Sequence, residues 1–304
     1  MLTDLTDTTC TDIRAALARA QGQLGGPATG VVLNLIIVTD ESGQHDAVRA
    51  ASQAGREHPC RVLGVIARDS QTTSRLDAEI RSGEGTPGQT VLLRLYGPMS
   101  EHADSVIMPL LVPDTPVVTW WHGSIPAVPS AQPLGALAQR RITDAARAKA
   151  PAAALAALSA GYQPGDTDFS WTRATPWRTL LAATVDQEQC TIAGGVVAAE
   201  EHNPTADLLK AWLQSKLHAP FRRETSAGPG ITEVTLRTDA GDVVISRPDG
   251  RVATLSRPGQ PDRHVALHRR EIADLLAEEL RRLDPDEVYG EALALVAGIP
   301  AGVG

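Results

Sequence analysis

Gly83-Glu84-Gly85-Thr86-Pro87-Gly88 spells G-x-G-x-x-G. In a dinucleotide-binding turn those glycines follow a strand and open a helix, so that backbone amides and the helix dipole meet a pyrophosphate. Here the run precedes a strand and contains Pro87, so it reads as a hairpin loop. Neither a Walker A spacing nor a G-x-S-x-G nucleophile elbow occurs. His122-Gly123-Ser124 follows a strand end, but the sequence offers no partner that would make it a nucleophile site. Asp166-x-Asp168 has the spacing to share a hard cation, yet its Gly/Pro-rich setting suits a helix cap or a solvated turn. Glu200-Glu201-His202 reads as a polar loop after a strand. His264 and His268 stand at i and i+4 but straddle a strand-to-helix boundary and lack a third ligand. Cys10, Cys60 and Cys190 are odd in number with no C-x-x-C spacing, which fits reduced thiols. No catalytic, cofactor-binding or metal-binding residue is assigned, and no cofactor is expected.

The aromatic residues say more. Only 5 Trp, 3 Tyr and 2 Phe are present, and four of the Trp fall in two short stretches: Trp120-Trp121 at a strand end, and Trp171 with Trp177 around Arg173 and Pro176. Neighbours on a strand point to opposite faces, so one ring of the first pair is expected to meet a second domain, a partner or solvent. Trp and Arg dominate protein–protein hot spots. Trp120, Trp121, Trp171, Arg173, Trp177 and Arg178 are therefore candidates for partner contact, or else staples between two domains.

The elements that must position these residues divide the chain at about residue 143. A helix carrying Ile13, Leu17 and Leu24 should end at Gly25-Gly26-Pro27. Val31 to Val38 and Arg61 to Ala67 are apolar on both faces, as strands of a parallel sheet are. A helix near Ser42 to Glu57 lies between them. Leu76, Ala78 and Ile80 alternate with charge, the pattern of a half-exposed strand, and Val91 to Tyr96 continues the sheet. A helix over Ser100 to Leu111 and a strand over Val117 to Trp121 follow. Residues 1–143 are thus expected to form a Rossmann-like α/β domain with a mixed, largely parallel sheet. In such sheets ligands bind at the carboxyl ends of the strands, which makes Thr39, Asp40, His122 and Ser124 an alternative small-molecule pocket.

Residues 144–304 should form an α+β domain, entered through a helical bridge over 144–160. Thr175-Pro176 and Asn203-Pro204 each place a cap before a proline at the first helical position. Ile192 to Ala199 reads as a strand. Four alternating runs, Thr232 to Arg237, Val243 to Arg247, Val252 to Ser256 and His264 to Leu267, read as an antiparallel meander. Ile272, Leu275/Leu276, Leu280 and Leu283 mark a strong amphipathic helix, and Asp286-Glu287 opens another.

Hydrophobic residues make up 42% of the 304 and the net charge is −8, which excludes disordered and fibrous classes and argues against nucleic acid as a partner. Of 28 basic residues only Lys149, Lys210 and Lys216 are lysines, an Arg bias that fits a GC-rich genome. The start MLTDLTDTTC lacks a basic n-region and an apolar h-region, and no apolar run reaches the roughly 20 residues of a membrane span. A cytoplasmic protein is expected.

Five segments carry a family resemblance: His58 to Val62 (HPCRV), Leu110 to Trp121 (LLVPDTPVVTWW), Asp168 to Ala182 (DFSWTRATPWRTLLA), Asp207 to Leu217 (DLLKAWLQSKL) and Leu275 to Leu293 (LLAEELRRLDPDEVYGEAL). In order and across both halves, they resemble the glucose-6-phosphate dehydrogenase assembly protein (OpcA) family of actinobacteria and cyanobacteria. The resemblance implies a non-catalytic factor that binds glucose-6-phosphate dehydrogenase and promotes its active oligomer or tunes its substrate response in the oxidative pentose phosphate pathway. The cyanobacterial branch is linked to thiol-dependent control, which three sparse cysteines do not carry over to this chain. The resemblance assigns no interface residue. An enzyme or small-molecule receptor built on the first domain is the competing reading.

Overall fold

The computed structural model describes residues 2–23, 31–68, 71–82, 89–186 and 190–298. The chain forms two compact units, one of residues 1–143 with 272–285 and one of residues 144–271 with 286–304. The G-x-G-x-x-G run and the expected stop of the first helix lie outside the described residues.

The first unit contains β1 (Leu2–Leu5), α1 (Cys10–Gln23), β2 (Leu33–Thr39), α2 (Gln44–Ala54), β3 (Cys60–Ala67), β4 (Arg75–Arg81), β5 (Thr90–Tyr96), α3 (Ala103–Ile107), β6 (Val117–Trp121), α4 (Pro133–Ala136) and β7 (Arg140–Thr143). Its strands run in the order β1-β4-β5-β3-β2-β6-β7. From β5 to β7 the pairs are parallel, and β4 and β1 add an antiparallel edge. This is the largely parallel α/β sheet that the two-sided apolar runs imply. β2 is buried at every position but Val38, each aliphatic side chain contributing roughly 1.5–3 kcal/mol. β4 alternates with strict period two. Strand order reverses beside β2, which has β3 on one side and β6 on the other.

The expected helix over Ser100 to Leu111 is broken. Short 3-10 turns at Gly97–Glu101 and Met108–Leu110 flank α3, and α3 does not run on to Leu111 because Pro109 has no amide to donate and its ring clashes with the carbonyl four residues back. β7 escaped the sequence reading because Arg140-Arg141 mask its pattern, although all four of its residues are buried.

The second unit begins with a 3-10 turn at Ala145–Arg147 and α5 (Pro151–Ala160), so Pro151 starts a helix inside the expected 144–160 bridge. Then come β8 (Asp166–Asp168), α6 (Phe169–Val185), β9 (Ile192–Ala199), α7 (Pro204–Leu217), β10 (Phe221–Thr225), β11 (Ile231–Thr238), β12 (Val243–Ser246), β13 (Val252–Ser256) and β14 (Arg263–Ala266). The sheet order is β10-β9-β11-β12-β13-β14. β11 to β14 form the expected antiparallel meander, while β10 pairs parallel to β9. The core of this unit gathers Trp177, Leu181, Val197, Leu209, Phe221 and Val234.

α6 starts two turns before the Thr175 cap that the sequence suggested. Asp168 is its cap and accepts from the Ser170 amide at 2.8 Å. Pro176 therefore sits inside the helix, where it frees the Thr172 carbonyl, and Arg270 Nη1 donates to that oxygen at 3.4 Å. Asn203 caps α7 as expected, its Oδ1 accepting from the Ala206 amide at 3.1 Å.

The chain then returns to the first unit as α8 (Ile272–Arg281), which packs against α2, before α9 (Glu287–Val296) completes the second unit. Of the expected apolar stripe, Leu275, Leu276 and Leu280 are buried, whereas Ile272 is half-buried and Leu283 lies beyond the end of α8. Among the described residues no helix is long and apolar enough to cross a membrane.

Candidate functional site

Three places in the described residues hold side chains with chemical potential. The first is at the carboxyl ends of β2 and β6, beside the reversal of strand order, where open α/β sheets take their ligands. Thr39 ends β2 and Asp40 follows it, while His122 extends β6 by donating its amide to the Val38 carbonyl at 2.9 Å. A Cβ on Gly43 would lie 2.9 Å from Thr39 Oγ1, 3.0 Å from His122 Nδ1 and 3.3 Å from Asp40 Oδ1. The absence of a side chain at that one position is what lets the three groups converge. Asp40 accepts from the Ser42 hydroxyl and the Gly43 amide, both at 2.7 Å, and these bonds hold its carboxyl below the usual carboxylate range. Its charge is thus used to shape the turn into α2. Beside it Glu41 accepts from Arg94, Gln44 and Arg68, and the Arg94 hydrogen bond chiefly lowers its pKa. The structure brings together Thr39, Asp40 and His122; Ser124 is exposed on the following loop.

The second place holds the Trp–Arg candidates. Trp120 and Trp121 are both buried, at 1% and 5% exposure, so of the three surroundings expected for the second ring solvent is excluded. β6 is an interior strand between β2 and β7, and a parallel sheet is buried on both faces. Trp120 meets the edge of His122 with ring centroids 5.0 Å apart, and a Cβ on Gly135 would come within 3.2 Å of the tip of Trp121.

Trp171 and Trp177 on α6 are buried as well. Trp171 Nε1 donates to Asp286 Oδ2 at 2.8 Å, its ring lies 5.8 Å from Tyr289, and the Arg178 guanidinium stacks on it at 3.6 Å. Arg173 makes a two-pronged ion pair with Asp144 at 2.6 and 2.7 Å. The four indoles therefore build the fold, and none presents its ring at the surface. Arg173 and Arg178 are half-buried and keep a solvent-facing part.

The third place was not visible in the sequence. Within the second unit a cavity of about 310 Å³ is lined by five arginines: Arg147, Arg173, Arg247, Arg269 and Arg270. The loop after β9, read as merely polar, supplies Glu200, Glu201 and His202, and Asn203-Pro204-Thr205 at the start of α7 close one side. Arg247 is 5% exposed. Its Nη1 donates to the Leu267 carbonyl at 2.8 Å, its Nη2 to the Ile231 carbonyl at 2.9 Å, and its guanidinium lies 4.9 Å from the centre of the Trp177 ring. Burial, helped by the charge of Arg269, pushes its pKa down to about 10. His268 also lines this cavity while His264 pairs with Thr254 on the meander, so the two do not act as a metal pair. Asp166 and Asp168 cap turns, accepting from the amides of Gln163, Ala145 and Ser170. Among the described residues no group of three or more His, Cys, Asp and Glu is arranged to hold a metal ion.

Against known proteins, two family models match the chain. The one described as the N-terminal domain of the glucose-6-phosphate dehydrogenase subunit matches residues 51–160, and the one described as the C-terminal domain of that same subunit matches residues 164–293. No curated protein matches the chain significantly. A solved NAD-binding oxidoreductase from Klebsiella pneumoniae aligns with TM-score 0.43 and 10% identity, over 88% of this chain and 96% of its own. An E. coli trehalose-6-phosphate structure bound with UDP-2-fluoro glucose aligns with TM-score 0.25 and 8% identity, over 64% of this chain and 65% of its own. Likeness at that level carries no function across. The two family matches are of another kind: they follow one another in order and take in most of the chain, and by them the protein belongs to the OpcA family of glucose-6-phosphate dehydrogenase assembly proteins.

Proposed function

We propose that the chain is a non-catalytic subunit that binds glucose-6-phosphate dehydrogenase and promotes its active state in the oxidative pentose phosphate pathway. The observation that carries this reading is the pair of family matches over 51–160 and 164–293, both described as domains of a subunit of that enzyme. Activation requires that the subunit bind the active conformation or oligomer of the dehydrogenase better than the inactive one, since only differential affinity shifts an equilibrium. A hundredfold shift needs about 2.7 kcal/mol of coupling, within the range of ordinary allosteric effects. Of the six Trp and Arg candidates, Arg173 and Arg178 retain exposed surface with which to meet the enzyme.

The test is the rate of the purified cognate dehydrogenase across substrate concentration, with and without this chain, while light scattering follows mass. A changed rate curve together with a heavier complex supports the reading; neither at micromolar concentrations refutes it. A small-molecule receptor is the second reading, favoured by the convergence of Thr39, Asp40 and His122 on Gly43 at the strand ends. A ligand that shifts the melting temperature of the wild type but not of a Gly43→Val variant, whose side chain would fill that space, would support it.

A further inference from the structure

We propose that the arginine-lined cavity of the second unit binds a small phosphorylated polyol, with the phosphate taken by Arg147, Arg247 and Arg269 at the start of α7. Arg247 is the central observation. A buried guanidinium is costly unless a carboxylate compensates it, yet among the described residues Arg247 has no ion pair, and its buried Nε has no hydrogen-bond partner. Its two other nitrogens are held by carbonyl oxygens and its plane lies by Trp177. The group is therefore rigid, charged and unneutralised. The nearby acid Asp249 is committed to the amides of Arg251 and Val252 and offsets it only weakly.

The surrounding charge points the same way. Arg147 and Arg269 are exposed on the rim and, among the described residues, neither makes an ion pair. Arg173 is already neutralised by Asp144, and Arg270 is engaged at the Thr172 carbonyl freed by Pro176. Three positive groups are thus available at one cavity, and guanidinium forks match phosphate oxygens in geometry as well as charge. α7 adds a fourth attraction. Asn203 satisfies the Ala206 amide, while the Thr205 amide is one of the first-turn donors that a helix leaves for an outside acceptor.

Glu200 and Glu201 decide what the rest of the ligand is. Glu200 lies against Gly228, where a Cβ would come within 2.5 Å of its Oε1, and Glu201 Oε1 is 3.6 Å from His202 Nε2. Carboxylates on one side of a basic cavity repel a polyphosphate but accept from hydroxyl groups. A cavity of about 310 Å³ is at the small end of ligand sites: it suits a sugar phosphate and is too small for a dinucleotide.

Calorimetry on the full chain alone tests this, with glucose 6-phosphate, glucose and inorganic phosphate as probes, at low and high salt. Glucose 6-phosphate should bind saturably and more weakly at high salt, inorganic phosphate less tightly, and glucose not at all. Arg147→Ala and Arg269→Ala should each weaken binding roughly tenfold, the loss of one charge-assisted contact, and leave the melting temperature of the free protein unchanged because both side chains are exposed. No saturable binding of glucose 6-phosphate, equal binding of glucose, or full binding by the double variant would each overturn the proposal. So would capture at these arginines of an acidic dehydrogenase peptide that glucose 6-phosphate fails to displace. No dehydrogenase is needed for the calorimetry, so its failure leaves the subunit reading standing, and the reverse holds too.

Discussion

Arg140 and Glu279 are 139 residues apart in sequence and form an ion pair in the first unit in which both side chains are only 5% exposed. Arg140 Nε and Nη2 both donate to Glu279 Oε2, the former at 3.1 Å, and Nη1 donates to the Asp284 carbonyl at 2.8 Å. The pair ties α8, the segment that returns from the far end of the chain, to β7. Arg140→Met would take this guanidinium away from the buried Glu279 carboxylate, and removing one partner of a buried pair costs about 3–5 kcal/mol. In a unit of this size that corresponds to a fall of roughly 6–20 °C in melting temperature. The loss should persist in strong salt, because a buried pair is little screened. The double variant Arg140→Met/Glu279→Leu should recover most of the stability, since replacing both charges by apolar groups is often neutral. Thermal unfolding with hydrogen exchange of the α8 and β7 amides reads both effects. A single-variant loss under about 1 kcal/mol, or a double variant as unstable as the sum of the singles, would refute the assignment of α8 to this anchor.

Other substitutions test the remaining assignments. Trp121→Ala should lose about 3–5 kcal/mol of stability in chemical denaturation, as for a core indole; a near-neutral effect would return this ring to the contact residues. Arg178→Ala should lose about 1 kcal/mol from its stacking on Trp171, and a weakened complex in dehydrogenase titrations would mark Arg178 as interface. Asp286 uses one carboxylate oxygen for the Trp171 indole and the other for the Tyr289 amide. Asp286→Ala should therefore cost about 2–3 kcal/mol and Asp286→Asn, which keeps one acceptor, about half that; equal losses in urea melts would contradict the shared role. Burial pushes the Cys60 thiol up to about 12 from 9.0. The folded state thus resists its ionisation, and stability should be fully present below about pH 9 and fall by up to about 1.4 kcal/mol per pH unit from there towards 12. Native Cys60 should also resist alkylation at pH 8, and rapid labelling there would sink this reading.

Much of the fold could be read from short-range pattern. The two-faced apolar runs gave β2 and β3, strict alternation gave β4 and the meander, and Asn203-Pro204 gave the start of α7. Elements escaped where charge sits on a buried position or too few side chains are buried to leave a pattern. β7 carries Arg140-Arg141 because its charge is answered by Glu279, far along the chain, and β10 buries Phe221 alone of its five residues. The cap of α6 was misplaced because Thr175-Pro176 satisfies the local rule for a helix start. What overrides that rule is tertiary: the Thr172 carbonyl that Pro176 frees is taken up by Arg270, almost a hundred residues away.

The candidate sites divide in the same way. Thr39, Asp40 and His122 were legible because a parallel sheet delivers consecutive strand ends to one edge whatever the details. The arginine cavity was not, because Arg147, Arg173, Arg247 and Arg269 are spread over more than a hundred positions and share no spacing: they come from the 3-10 turn before α5, from α6 and from the segments after β12 and β14. The indoles are a third case. That neighbours on one strand face opposite ways is a sound deduction from strand geometry, but what covers the second face depends on the elements packed over it, and no local pattern names those. For Trp121 one of them is α4, where a Cβ on Gly135 would come within 3.2 Å of the ring tip and 1.8 Å of the Pro129 carbonyl oxygen. Gly135→Ala should therefore push α4 away and open the Trp121 ring to solvent. Stronger quenching of indole fluorescence by acrylamide in Gly135→Ala, lost again when Trp121 is also replaced by Phe, is the expected result; unchanged quenching would show that α4 does not cover this ring.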